Sequence, residues 1–313
     1  MAVLIDIINI VLPVFLVIGL GYFLRSIGFL QDQGNARLSK LVFYVAAPAL
    51  LFRSTALSPV DQSLNLDVLI VVAGITIGVA CLTYFLARGT TPSRRGVWTQ
   101  GMHRSNMVFM GLPIVANAYG HEVLGPAAVL IGFMVVVYNL LAVLVLALPH
   151  QGAGIAASRA WMKTFLEMVK NPLIIGCACG ITVSALHIHL PESIDSSFEL
   201  VGRIALPLAL ISVGAGMDLG RLRTEVRAAM MASFIKLLVY PALVYMGLLW
   251  AGLSGTDLCF PVLIMASPTA VVSYIMAQEM KGDENLAAAI IIGTTLFSLF
   301  TVSAWLAFFR LAI

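Results

Sequence analysis

Long apolar stretches separated by short polar ones account for most of this chain. Uncharged runs at 68–87, 123–148, 259–278 and 286–309 each reach the ~20 residues that a helix needs to cross a hydrocarbon core. Weaker segments at 7–24, 36–56, 97–119, 171–186, 200–217 and 228–253 are shorter or carry one or a few charges within the same apolar pattern. The pattern therefore predicts an all-α integral membrane protein with ten spans.

Prolines set within these spans recur in the second half at nearly one offset: Pro13 with Pro172 and Pro48 with Pro207 at 159, Pro113 with Pro268 at 155. They mark the first, second and fourth spans of each half, the signature of an internal duplication. Five spans per half is an odd number, so the second copy enters the membrane from the opposite side and the repeats are inverted. Residues 1–149 form the first five-helix repeat, 150–160 a connector rich in small and polar residues, and 161–313 the second repeat. Basic residues support the alternation, because short cytoplasmic loops collect Lys and Arg. With the N-terminus outside, thirteen of the eighteen fall on the cytoplasmic side, among them Arg25, Arg94, Arg159, Lys163, Arg223 and Lys281. Both termini are then periplasmic.

Composition changes this picture little: 60% hydrophobic and 11% charged residues lie far from soluble usage, and the net charge of +3 is spread over loops as topology signals. No nucleic-acid partner is implied. The first apolar run carries Asp6 and lacks a basic leader, so it reads as a retained helix. Cys81, Cys177, Cys179 and Cys259 all fall within spans and suggest neither a disulfide framework nor a metal site. No HExxH, paired-Asp or Ser/His/Asp arrangement occurs in the spans, so no catalytic residues, metal or cofactor are expected and the chain is not read as an enzyme.

The fourth span of each half carries the chemistry. One reads His103-Arg104-Ser105-Asn106 followed by Gly111-Leu112-Pro113; the other holds Ala266-Ser267-Pro268-Thr269-Ala270. A mid-membrane proline removes a donor and frees a carbonyl, which is tolerated only where protein or a wet cavity covers it. If helices 4 and 9 break near Pro113 and Pro268 and cross, two half-helix N-termini meet at one point beside freed carbonyls. That arrangement suits a carboxylate, with room for a coupling cation; simple kinks in continuous helices are the plain alternative.

These stretches, together with Leu38-Ser39-Lys40-Leu41-Val42-Phe43-Tyr44 before Pro48 and Asn171-Pro172-Leu173, resemble the auxin efflux carriers and their bacterial relatives, which include proteins assigned as malonate and other organic-acid permeases. The resemblance covers essentially the whole chain. It implies a ten-helix inverted-repeat fold like that of bile-acid sodium symporters, with scaffold and crossover domains each drawn from both repeats, and elevator-type movement of an organic anion. It also implies that Asn106 matches the crossover asparagine used for a substrate carboxylate. Capping of freed carbonyls is the plainer role for that residue.

The expected substrate site accordingly comprises Asn106, Gly111, Pro113, Asn139, Ser267, Pro268, Thr269 and Thr295, with Asn139 and Thr295 aligned between the fifth and tenth spans. Lys236, the one basic residue well inside the eighth span, either compensates charge at the crossover or snorkels to water. Arg104 is expected to line the cytoplasmic access path and attract anions. Ser273, Thr294 and Ser298 read as packing hydroxyls, and Gly19, Gly21, Gly176, Gly180, Gly214 and Gly216 as close-packing points. Together these observations describe a secondary active transporter of small mono- or dicarboxylates in a bacterial-type inner membrane, coupled to Na⁺, to H⁺ or to neither. Its expected partners are the organic anion, lipid and, at the scaffold helices, a second copy. The alternative is a sodium/proton-type antiporter, which needs midplane carboxylates, whereas Asp6, Asp67, Asp218 and Glu279 stand at helix ends.

Overall fold

The computed structural model describes residues 2–57, 65–150 and 170–312, and each apolar segment is helical, whether continuous or interrupted. The first half runs α1 (Ala2–Ser26), α2 (Asp32–Leu41), α3 (Ala47–Ala56), α4 (Leu66–Leu86), α5 (Pro92–His103), α6 (Leu112–Tyr119) and α7 (Leu124–Ala147). The second runs α8 (Pro172–Ala185), α9 (Glu192–Arg203), α10 (Ala205–Ala215), α11 (Leu219–Thr224), α12 (Val226–Phe234), α13 (Tyr240–Trp250), α14 (Gly255–Met265), α15 (Val272–Glu279) and α16 (Glu284–Ala312). Among the described residues six helical stretches are long and apolar enough to cross a membrane, and Met107–Tyr119, Pro172–Ala185 and Gly255–Met265 are shorter apolar helices. Leu16, Phe23, Ile70 and Phe300 point outward and exposed, as lipid-facing side chains do. The connector beyond His150, with Arg159 and Lys163, and the expected start of the second repeat at 161 lie outside the described residues.

The prolines paired by offset take unlike local forms in the two halves, and Pro241 repeats the form of Pro48 and Pro113. Pro48, Pro113 and Pro241 each stand at the start of an α-helix directly after a five-residue π turn, at Val42–Ala46, Met107–Gly111 and Ile235–Val239. A proline has no N–H to give and its ring clashes with the carbonyl four residues back; the wider π turn moves that carbonyl aside. Pro13 lies inside continuous α1, whereas Pro172 opens α8 behind Asn171, whose side chain accepts from the Leu173 N–H at 2.9 Å. The expectation that helix 4 breaks near Pro113 is corrected: the chain leaves the helix at Arg104–Asn106, and Pro113 is absorbed by its π turn. Pro268 does lie in a non-helical stretch, between α14 and α15.

The chain forms two compact units, and each draws on both halves of the sequence. One comprises Met1–Leu69, Val108–Val135 and Val169–Met217; the other comprises Ile70–Met107, Val136–Met168 and Asp218–Ile313. In the first, α1 packs on α10 and α3 on α8. Gly21 and Gly214 let α1 and α10 meet backbone to backbone, since a Cβ at Gly21 would collide with the Ile211 carbonyl and one at Gly214 with the Ile18 carbonyl. Gly176 and Gly180 do the same against Pro48 and Phe52, whereas Gly19 faces open space and Gly216 makes ordinary contacts. In the second unit α16 packs against α12, α11, α15 and α5. One end of this unit is tied by Arg94, which donates to Glu225 at 2.8 Å and to Asp283 at 3.0 Å.

Candidate functional site

The second unit contains the interruption of α5 and that between α14 and α15. At the first, Arg104 takes extended dihedrals (φ −80°, ψ 99°). The two non-helical stretches pair through one antiparallel bridge between Ser105 and Thr269. The Asn106 N–H donates to the Pro268 carbonyl at 2.7 Å, and the Ala270 N–H donates to the Arg104 carbonyl at 3.0 Å. Two interrupted helices thus satisfy part of each other's freed backbone, as burial requires. Further carbonyls are capped by side chains. The Thr269 hydroxyl donates to Gly101 O at 2.7 Å, the Ser105 hydroxyl donates to Met265 O at 3.0 Å, and the Thr269 N–H donates to the Thr294 hydroxyl at 3.1 Å.

Lys236 is fully buried, and its ammonium donates to Met265 O at 2.6 Å and Ser267 O at 2.7 Å. It therefore does not snorkel. Its stem turns inward from the π turn Ile235–Val239 and sets a positive charge at the C-terminal end of α14, where the helix dipole and unpaired carbonyls favour one. The Tyr240 ring lies 5.0 Å away, and its hydroxyl is 2.7 Å from Thr76 Oγ1 and 3.2 Å from the Tyr138 hydroxyl. Both tyrosines donate to Met265 Sδ.

Arg104 is only 5% exposed and lies in the core of its unit. Its guanidinium donates to Asn139 Oδ1 at 2.8 Å, to Gln100 Oε1 at 3.3 Å and to Met276 Sδ. Among the described residues Arg104 and Lys236 are the buried cations, and no aspartate or glutamate is buried. Asn106 is buried with its amide nitrogen unpartnered, as are Gln100 Nε2, His103 Nε2 and the Ser273 hydroxyl.

Of the expected site residues, Arg104, Asn106, Asn139, Lys236, Ser267, Pro268 and Thr269 all belong to this unit, and hydrogen bonds link Arg104 with Asn139, Asn106 with Pro268 and Lys236 with Ser267. Gly111 and Pro113 belong to the other unit. Thr295 is spent on its own helix, donating to Ile291 O at 2.7 Å, and the neighbouring Thr294 meets the interruption instead. Gln100, Ser105, Tyr138 and Tyr240 were not singled out from the sequence. Gln100 and Arg104, four residues apart at the end of one helix, were the signal available for the first.

Comparison with known proteins extends along the whole chain. The family described as "Membrane transport protein" matches residues 6–306. An "Uncharacterized transporter" of Methanothermobacter thermautotrophicus is 25% identical over 305 residues, covering 94% of this chain and 96% of that protein. A "Putative malonate transporter" of Rhizobium meliloti is 25% identical over 317 residues, covering 97% and 96%. "Auxin efflux carrier component 5" of Arabidopsis thaliana is 22% identical and covers 85% of each chain.

Proposed function

Given that the chain belongs to the membrane transport protein family, and so is a multi-pass membrane transporter, we propose that it carries small organic anions, mono- or dicarboxylates, by secondary active transport. The observation that carries this reading is electrostatic. Two buried cations, Arg104 and Lys236, stand in one unit with no buried carboxylate among the described residues to neutralise them. A buried charge is costly unless paired, so an anion that enters this environment is stabilised where a cation is repelled. Asn106 adds an unpartnered amide donor for a carboxylate oxygen. Malonate is the first substrate to test, on the name of the Rhizobium meliloti relative.

The architecture proposed for this activity is ten spans in two inverted repeats, with helices 4 and 9 crossing at the Ser105–Thr269 bridge. Two compact units, each built from both halves of the chain, support a scaffold and a moving body related by an elevator-type displacement. The Lys236 ammonium occupies carbonyls that would otherwise suit a metal cation, so it serves as a tethered counter-charge, and sodium is dispensable. Placement in a bacterial-type inner membrane with periplasmic termini completes the proposal.

Thermal stabilisation of the purified protein across mono- and dicarboxylates, with and without sodium and at two pH values, tests this reading, because a specific ligand raises apparent stability by mass action. A carboxylate-specific rise that is the same in sodium and in choline supports it. A rise from sodium or pH alone, with none from any carboxylate, replaces it with the cation-antiporter reading.

A further inference from the structure

The amide groups around Arg104 are oriented by chemistry rather than by chance. A guanidinium carries five N–H donors and no acceptor, so an amide that meets it turns its oxygen inward. Gln100 meets it through Oε1 and Asn139 through Oδ1. Flipping either amide would set N–H against N–H. Each amide nitrogen is therefore directed away from the guanidinium, and Gln100 Nε2 is buried without a partner. Gln100 lines a narrow crevice with Val97, Gly101, Thr269, Ser273, Ala287 and Ile290, and the Ser273 hydroxyl in the same crevice is also buried and unpartnered. Two polar groups left unpaired in a close-packed, largely apolar wall carry an energetic cost that is recovered only when a partner arrives, which for the Gln100 nitrogen is an acceptor.

We propose that Arg104 is a positioning residue that sets the sign of the site: by consuming the acceptor oxygens of Gln100 and Asn139 it turns both amide nitrogens away from itself, and the unpartnered Gln100 Nε2 receives, with the Ser273 hydroxyl, an oxygen of an anionic substrate. This rests on the anion-carrier reading above and deepens it. The charge of Arg104 acts one side chain behind the ligand. Its neutral intermediaries keep the guanidinium from being neutralised by a permanent carboxylate partner, and the amides present donors alone. A cation finds neither amide oxygen free there. A carboxylate finds donors already aimed, without the cost of reorienting them.

The test uses two near-isosteric variants of the full-length protein, Gln100→Glu and Asn139→Asp. Each gives Arg104 a carboxylate partner and replaces an outward donor by an acceptor. Thermal stabilisation is read for wild type and both variants with malonate and acetate as probes, alongside the ligand-free melting temperature. The expected result is a melting temperature equal to or above that of wild type, with the malonate concentration for half-maximal stabilisation raised at least tenfold in each variant. A purely structural role for the two amides predicts unchanged malonate response in folded variants, and that outcome overturns the inference while leaving the anion reading intact. Absence of any carboxylate response in wild type overturns both. Arg104→Lys provides an independent arm: it keeps the charge but cannot hold two amides in a fixed fork, so malonate affinity should fall, and an unchanged affinity counts against the inference.

Discussion

The Lys236 ammonium donates to the carbonyl oxygen of Met265 at 2.6 Å, and that same oxygen accepts from the Ser105 hydroxyl at 3.0 Å. One carbonyl at the end of α14 thus joins a buried cation, the partner interruption and the last turn of its own helix.

Replacing Lys236 by Met keeps the stem and removes the charge. The carbonyls of Met265 and Ser267 lose a shared donor, at a cost of about 1–3 kcal/mol for buried groups left unpaired. With the ammonium gone those oxygens become available to a metal ion. The expected outcome in proteoliposomes is that carboxylate uptake, sodium-independent in wild type, falls and becomes stimulated by sodium. Uptake equal to wild type in sodium-free buffer would contradict the tethered counter-charge.

Asn106→Ala separates binding from folding. The amide nitrogen already lacks a partner, so deletion should change the ligand-free melting temperature little, whereas the backbone bond from Asn106 N–H to Pro268 O survives in alanine. Carboxylate affinity should drop at least tenfold, about 1.4 kcal/mol or more. Calorimetric titration reads this directly; equal affinities for variant and wild type remove Asn106 from the site.

Acid should loosen the tie at Arg94. The guanidinium donates to Glu225 and holds its carboxyl below the usual carboxylate range, while Glu225 in turn holds Arg94 charged. A depressed carboxylate pKa contributes stability that is present above the unfolded value near 4.5 and is lost as pH falls through the folded value. The melting temperature of wild type should therefore fall below pH 4.5 more steeply than that of Glu225→Gln. The pair is partly exposed, so the difference should be small and should shrink in high salt.

Two glycines two residues apart should respond oppositely to alanine. Gly19 faces open space, and Gly19→Ala should stabilise by up to about 1 kcal/mol through helix propensity, in contrast with Gly21→Ala. At Gly21 the new methyl meets the Ile211 carbonyl and should cost about 1–3 kcal/mol as α1 and α10 are forced apart. Denaturation midpoints in one detergent provide the comparison, and a destabilised Gly19→Ala beside a neutral Gly21→Ala would refute the packing described.

Pro113→Ala restores an N–H after the π turn Met107–Gly111 and removes the ring that requires it. That turn should then relax toward α geometry and shift the register of the segment after Asn106 by one residue. Transport turnover should fall by more than substrate affinity does. Matching reductions in both, or in neither, would argue for an ordinary kink.

The helical segments were legible because their apolar runs are long and their charges sit between them. The position of the first interruption was not. Pro113 is the visible helix breaker, yet the chain leaves the helix at Arg104–Asn106, where no residue forbids helix, because the non-helical stretch at Pro268–Ala270 takes up the freed groups. Pairing between segments so far apart leaves no local trace. Lys236 shows the same limit: eight residues into a span, a lysine that snorkels and one that caps a buried helix end are written identically, and the π turn that aims it inward arises from Pro241 five residues later. Thr294 and Thr295 differ by one helical step of about 100°, finer than alignment of the two halves resolves. Asn106 and Asn139, by contrast, were identifiable as amides in apolar surroundings.

The Ser105–Thr269 bridge also sets an order of events during biosynthesis. Its two sides leave the ribosome more than 160 residues apart, so the Asn106 N–H and the Arg104 carbonyl spend most of translation without the partners they finally hold. The unit that carries the candidate site is assembled from three separated stretches of chain, and its centre closes only after α14 and the residues that follow it have entered the bilayer. Until then the inserted first half has an open helix end in a medium that supplies no hydrogen bonds, which makes a chain interrupted before Pro268 a substrate for membrane quality control rather than a half-sized carrier.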